Sequence, residues 1–164
     1  MTDKVDLIWS NLELQHHDAP ELLIKKWREL LKAEALLMFS YLGPDTGRGL
    51  AKYFDGNDLV SLPSAWDMHD VGDALLKARF SEPVMDMEYI TLDYENFDLL
   101  VSDAFDLGLL KTRSPKLLNL PQDITLKMTL EVVYGHAWTP AHDLSKAEGG
   151  LATISPDQIV RAKR

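Results

Sequence analysis

Few residues in this sequence have the types and spacing that chemistry demands. His16, His17 and Asp18 stand in a row and could offer three donors to a metal ion. Adjacent histidines in an extended segment point to opposite faces, and Asp18 stands where a helix cap belongs, so no metal site is expected. His69 and Asp70 fall in the first turn of a candidate helix, where the histidine reads as an exposed or capping residue rather than a base. His136 sits between Tyr134 and Trp138 in a strand pattern, and packing is the reading it favours. Trp9, Trp27, Trp66 and Trp138 could form an aromatic binding set, but their spacings suit filling a core or covering its edges. The chain has no cysteine, which excludes disulfide and thiolate chemistry and permits a reducing compartment.

These residues belong to a chain of 164 residues, the size of one domain, that is 46% hydrophobic and 26% charged. Its formal net charge of -9 argues against nonspecific nucleic-acid binding and against docking on anionic membranes. The only basic clusters are Lys25, Lys26 and Arg28, and the tail from Arg161 to Arg164. No apolar run reaches the roughly 20 residues of a membrane span. The opening Met1-Thr2-Asp3-Lys4 lacks the basic-then-apolar pattern of a leader, so a cytoplasmic location is expected.

The elements that must position the polar residues read as α/β. Residues 5–9 predict a short strand. Asp18, Pro20 and Glu21 have the form of a helix start, followed by Leu23, Trp27, Leu30 and Leu31 on one apolar stripe. Residues 35–39 form a continuous apolar run that suits a parallel strand buried on both faces. Gly43-Pro44-Asp45 predicts a turn, and residues 46–53 a helix weakened by Gly47 and Gly49. Asp67 caps a second helix with Val71, Ala74, Leu75 and Ala78 on its buried side. Residues 84–94 predict a strand whose alternation changes phase, which points to a bulge near Tyr89 and Ile90 and leaves Asp86, Glu88, Thr91 and Asp93 on a solvated face. A helix over 97–107 should end at Gly108, residues 114–122 should be loop, and 124–134 is the clearest strand of all. Residues 1–140 are thus expected to form the domain, and 141–164 a poorly packed or partner-dependent tail.

Several strings carry a resemblance. DLIWSNLELQ (6–15) resembles the fourth strand and following loop of Rossmann-like methyltransferases, and WRELLK (27–32) the helix behind it. FSYLGPDT (39–46), DMHDVGDAL (67–75) and EVVYGHAW (131–138) narrow the match to the C-terminal half of the BioC-type malonyl-acyl carrier protein O-methyltransferases, which use S-adenosylmethionine in biotin synthesis. The resemblance covers most of residues 5–140. It implies a partial Rossmann-like methyltransferase fold: a mixed sheet of about four strands in the order 4-5-7-6, with flanking helices and the last two strands antiparallel. It also places Asn11 and Gln15 in a segment that lines the substrate cleft near the reacting methyl.

The departures bear on function. Such enzymes hold the cofactor through a glycine-rich turn after the first strand and an acidic residue after the second. None of the nine glycines here forms that turn, and the sequence begins just before the fourth strand. A proline-glycine-glycine turn is replaced by Ala33-Glu34-Ala35, and the segment between Gly108 and Ile124 is shorter than the family's. Methyl transfer to a carboxylate needs alignment and exclusion of water more than an acid-base pair, so the lack of an obvious pair does not count against the family. The expectation is a methyltransferase-like chain that binds no cofactor and has no activity alone, using S-adenosylmethionine only if completed by a partner carrying the missing half. A subunit of a split methyltransferase and a non-catalytic α/β dimerisation module remain the alternatives. The strand at 5–9 would lie inside the full sheet, so its open edge predicts a homodimer or a covering partner chain.

Overall fold

A computed structural model of the chain describes residues 3–60, 66–121 and 124–141. The elements run β1 (Val5–Asn11), α1 (Pro20–Leu30), β2 (Leu31–Leu42), α2 (Met68–Lys77), β3 (Ser81–Tyr94), α3 (Phe97–Asp106) and β4 (Leu126–Trp138). The strands lie in the order β1-β2-β4-β3, with β1 parallel to β2 and the other two pairs antiparallel. This is the order and the antiparallel final pairing that the sequence implied. Among the described residues no helix is long and apolar enough to cross a membrane. The expected tail lies outside the described residues from position 142.

Local sequence explains the helices, with one correction. Asp67 caps α2 as expected, its carboxylate accepting from the backbone N–H groups of His69 (2.7 Å) and Asp70 (3.0 Å). Asn96 caps α3 through Leu99 N–H. Asp18 does not cap α1: the cap position is Ala19, and no side chain closes that end. Pro20 in the first turn needs no donor partner there, which lessens the need for a cap. The buried side of α1 is Ile24 and Trp27, because Leu31 has already become the first residue of β2. The segment expected to be weakly helical is a 3-10 helix over Arg48–Lys52, entered through Gly47 at φ 74°.

The early part of β2 is irregular. Its register against β1 slips between Val5 and Leu7, and Glu34 adopts φ 56°, the left-handed region that glycine fills readily. Thr139 ties this bend down. Its hydroxyl donates to Lys32 C=O and accepts from Ala35 N–H, and its carbonyl accepts from Glu34 N–H.

Two separate cores lie on opposite faces of the sheet. On the back, α1 and α2 cover Leu37, Phe39, Tyr41, Val133 and Ala137, with Met85 and Met87 at the margin. On the front, the 3-10 helix, α3 and Leu109–Leu110 cover Leu42, Leu126, Met128 and Val132, with Leu92 and Tyr94 at the margin. Among the described residues the covers sit at opposite ends of the sheet, so each face has one covered and one open quarter.

That arrangement corrects three expectations. The phase change in β3 is not a bulge, since pairing with β4 runs unbroken from Val84 to Tyr94 and the only slip lies between Ser81 and Val84. The apolar parity changes because the covered face changes. Asp86 and Glu88 therefore face the front and Thr91 and Asp93 the back, each pair in an open quarter rather than on one face. Likewise β2 is not buried on both faces: Met38, on the open front, is 45% exposed.

Candidate functional site

Open α/β sheets bind ligands at the carboxyl ends of their parallel strands. Here those ends are Asn11 of β1 and Leu42 of β2, and the loops leaving them are pinned by side chains. The loop after β1 turns at Leu12, whose φ is 52° and whose N–H donates to Ser40 C=O at 2.9 Å. It then enters a 3-10 turn over Leu14–His16.

Gln15 is 1% exposed, and its amide is fully engaged. Its Nε2 donates to Leu12 C=O at 2.8 Å and lies 3.2 Å from His16 Nε2, while its Oε1 accepts from Leu42 N–H at 3.3 Å. The side chain thus sews the loop after β1 onto the end of β2. Asn11 differs. It is exposed on the front face, and its Oδ1 accepts from Ser40 Oγ at 2.5 Å.

The loop after β2 is held by Glu131, a polar residue of the alternating 124–134 pattern. Glu131 faces the back of β4 and is buried beneath Gly43-Pro44-Asp45-Thr46. Its Oε2 accepts from Asp45 N–H at 2.7 Å, its backbone carbonyl accepts from Gly43 N–H at 2.8 Å, and its backbone N–H donates to Thr46 Oγ1. A Cβ on Gly43 would collide with the carboxylate. The sequence signal for this contact is the glycine itself, at the carboxyl end of a strand where a neighbour approaches the backbone. Nearby Tyr41 is wholly buried, and among the described residues its hydroxyl has no hydrogen-bond partner. Burial, reinforced by the negative charges of Asp67, Glu131 and Asp70, holds that phenol far above its ordinary titration range.

On the open front quarter, Trp9, Asn11, Met38, Ser40, Tyr134 and His136 line a shallow groove of about 320 Å³. Tyr134 donates to Glu88, and this hydrogen bond raises the phenol's pKa. Of the four tryptophans only Trp27 is in the core. Trp66 packs partly against it, Trp138 is half-exposed, and Trp9 is 76% exposed on the edge strand. His17 pairs with Glu13 at 3.1 Å, and His69 is exposed in the first turn of α2. Among the described residues no three His, Cys, Asp or Glu side chains converge to hold a metal ion.

The same folding frame occurs in solved structures. A Bacillus halodurans protein assigned as a methyltransferase superposes with a TM-score of 0.59 at 13% identity, covering 85% of this chain and 67% of that one. The YcgJ protein of Bacillus subtilis matches with a TM-score of 0.59 at 10% identity, over 85% of this chain and 65% of that one. These likenesses establish the fold. Sequence comparison goes further. The malonyl-[acyl-carrier protein] O-methyltransferase of Gallionella capsiferriformans is 43% identical over 171 positions, covering 93% of this chain and 59% of the relative. This chain is a relative of the malonyl-[acyl-carrier protein] O-methyltransferases. The enzyme of that name from Laribacter hongkongensis is 38% identical over 84% of the chain and 52% of its own length. The Coxiella burnetii malonyl-[acyl-carrier protein] O-methyltransferase 1 is 34% identical over 96% of the chain and 62% of its own length. The chain therefore spans between half and two thirds of these O-methyltransferases. The 171 aligned positions exceed the chain's 164 residues, so the Gallionella O-methyltransferase carries residues here that this chain lacks. No family model matches the chain.

The family name implies S-adenosylmethionine, and the described residues do not form a cradle for it. The loop after β1 is Leu12-Glu13-Leu14-Gln15, without glycine, and the backbone at Gly43 is approached by Glu131 rather than left open. Neither loop offers the close backbone approach that a nucleotide cofactor needs.

Proposed function

We propose that this chain forms the C-terminal, substrate-side part of an S-adenosylmethionine-dependent O-methyltransferase acting on a carboxylate presented by a carrier protein. The cofactor-binding turn would come from sequence beyond these residues, on the same polypeptide or on a partner chain. The observation carrying this reading is the identity of 43% over 93% of the chain to an enzyme of that name, in a region that folds as two parallel strands with side-chain-pinned loops at their carboxyl ends. On this reading Gln15 and Glu131 are positioning residues that fix the two loops. Asn11 presents its amide to the cleft. The reacting carboxylate needs no base, so fixing its approach and excluding water would be the chain's contribution. A cytoplasmic location follows from this role.

The 164-residue chain alone is expected to bind no S-adenosylmethionine and to transfer no methyl group. Calorimetry with millimolar cofactor should show no saturable heat, and a micromolar dissociation constant, about -8 kcal/mol, would sink that expectation. Supplying the N-terminal segment of the Gallionella relative should restore methylation of a malonyl carrier protein. Failure of a correctly folded mixture to do so would count against the assignment.

A further inference from the structure

The two adjacent histidines are placed differently. His17 pairs with Glu13 at 3.1 Å, whereas His16 meets the buried amide of Gln15. Both ends of that amide are fixed by backbone groups that cannot exchange roles. Leu12 C=O can only accept and Leu42 N–H can only donate, so Nε2 faces the first at 2.8 Å and Oε1 the second at 3.3 Å. Nε2 bears two hydrogens, and Leu12 takes one. The other is left for His16 Nε2, 3.2 Å away. An amide nitrogen donates and does not accept, so the imidazole nitrogen must be the acceptor and the ring proton must sit on Nδ1.

From this we infer that His16 is a positioning residue that acts through Gln15 as a pH-sensitive latch on the loop after β1. Neutral, the ring accepts from Gln15 and holds the clamp. Protonated, it carries a hydrogen on both nitrogens and has no acceptor to offer. The ring is exposed and can swing into water, but the Gln15 amide is buried and is left with an unpaired N–H. Hydrogen bonds that share one amide polarise each other, so the bonds to Leu12 and Leu42 weaken with the loss of the third. The turn packs against β2 and α1. The titratable and charged groups there are Glu13, His17 and Asp18 beside it, Tyr41 at the end of β2, and Glu21 and Lys25 on α1. Carboxylates titrate near pH 4, and phenols and lysines near pH 10, so in mildly acidic solution only the two histidines change charge. The bearing on catalysis rests on the methyltransferase reading: in acid, the loop that carries Asn11 into the cleft would no longer be fixed to the end of β2.

Nitrogen-15 spectra of the imidazole rings in the 164-residue chain read the tautomer directly, and at about pH 7.5 His16 should carry its proton on Nδ1. Amide exchange, corrected for the intrinsic rate, reads the latch. Between about pH 7.5 and about pH 5.5 the protection of the Leu42 and Leu12 amides should fall about tenfold, the worth of one such hydrogen bond, while Val133 and Ala137 in the back core keep theirs. His16→Gln retains an acceptor that takes up no proton, so protection should stay high at both pH values. His16→Lys offers only donors, so protection should be low at both. His17→Gln should leave the pH dependence intact. Position 16 is exposed, so all three variants should keep the wild-type far-ultraviolet circular dichroism. A proton on Nε2 at neutral pH would overturn the proposal. So would protection indifferent to pH, equal behaviour of His16→Gln and His16→Lys, or a pH dependence that disappears with His17. No cofactor or substrate enters these measurements, so their failure is distinct from failure of the methyltransferase reading, which restored methylation tests.

Discussion

Single side chains at the strand ends hold positions that their types alone do not reveal. Gln15 is buried, with its amide shared between Leu12 C=O and Leu42 N–H. Gln15→Leu should fill similar space yet leave that carbonyl and N–H unpaired, at a cost of about 1–3 kcal/mol in chemical denaturation. A loss well below this would show that the loop after β1 is held some other way. Glu34 makes the opposite case. Its φ of 56° strains an L-residue with a Cβ, and the bend is maintained by Thr139 rather than by the residue itself. Glu34→Gly should relieve the strain and raise stability by about 1 kcal/mol despite glycine's greater unfolded-state entropy. An unchanged or lower midpoint would mean that this backbone conformation carries no strain.

Among the elements, α2 is where one charge governs a helix end. Hydrogen bonds from the backbone N–H groups of Asp70 and then His69 hold the Asp67 carboxyl below its ordinary pKa of 3.8. Its pKa is lower folded than unfolded, so its contribution is complete above about pH 4 and is lost as the pH falls through the folded value. Asp67 is exposed, which keeps that contribution small. Asp67→Asn should keep the cap but flatten this acid limb, whereas Asp67→Ala should cost about 0.5–2 kcal/mol at neutral pH, as read from urea titrations at several pH values. This cap, like the strand alternation of residues 124–134 and the glycine at Gly108, was readable in the sequence because each is a local rule. The phase change in β3 was visible too, but its cause was not. A shift of parity looks the same whether the strand bulges or the cover changes sides, and only packing distinguishes them. The role of Glu131 was not legible for a related reason: alternation predicts which face a residue takes, not whether a distant turn lies over it. Asn11 and Gln15 were singled out by resemblance, which could not tell the buried clamp from the exposed amide.

At the scale of the whole molecule, the back and front cores share the strands but few side chains, and local opening should reflect this. Amide exchange should show two cooperative groups, one following α1, α2 and the Leu37–Ala137 end, the other following α3 and the Leu42–Met128 end. A single opening energy for both would mean that the sheet couples them fully. Their separation also sets what each end of the molecule can tolerate over generations of insertion and deletion. In the segment between Gly108 and Ile124, the described residues Leu109, Leu110 and Leu120 pack on the front cover. Residues could be added or lost there without disturbing Trp27, Phe39 or Val71 on the other side. One architecture can therefore host lineages whose front loops differ in length while the back of the sheet stays the same.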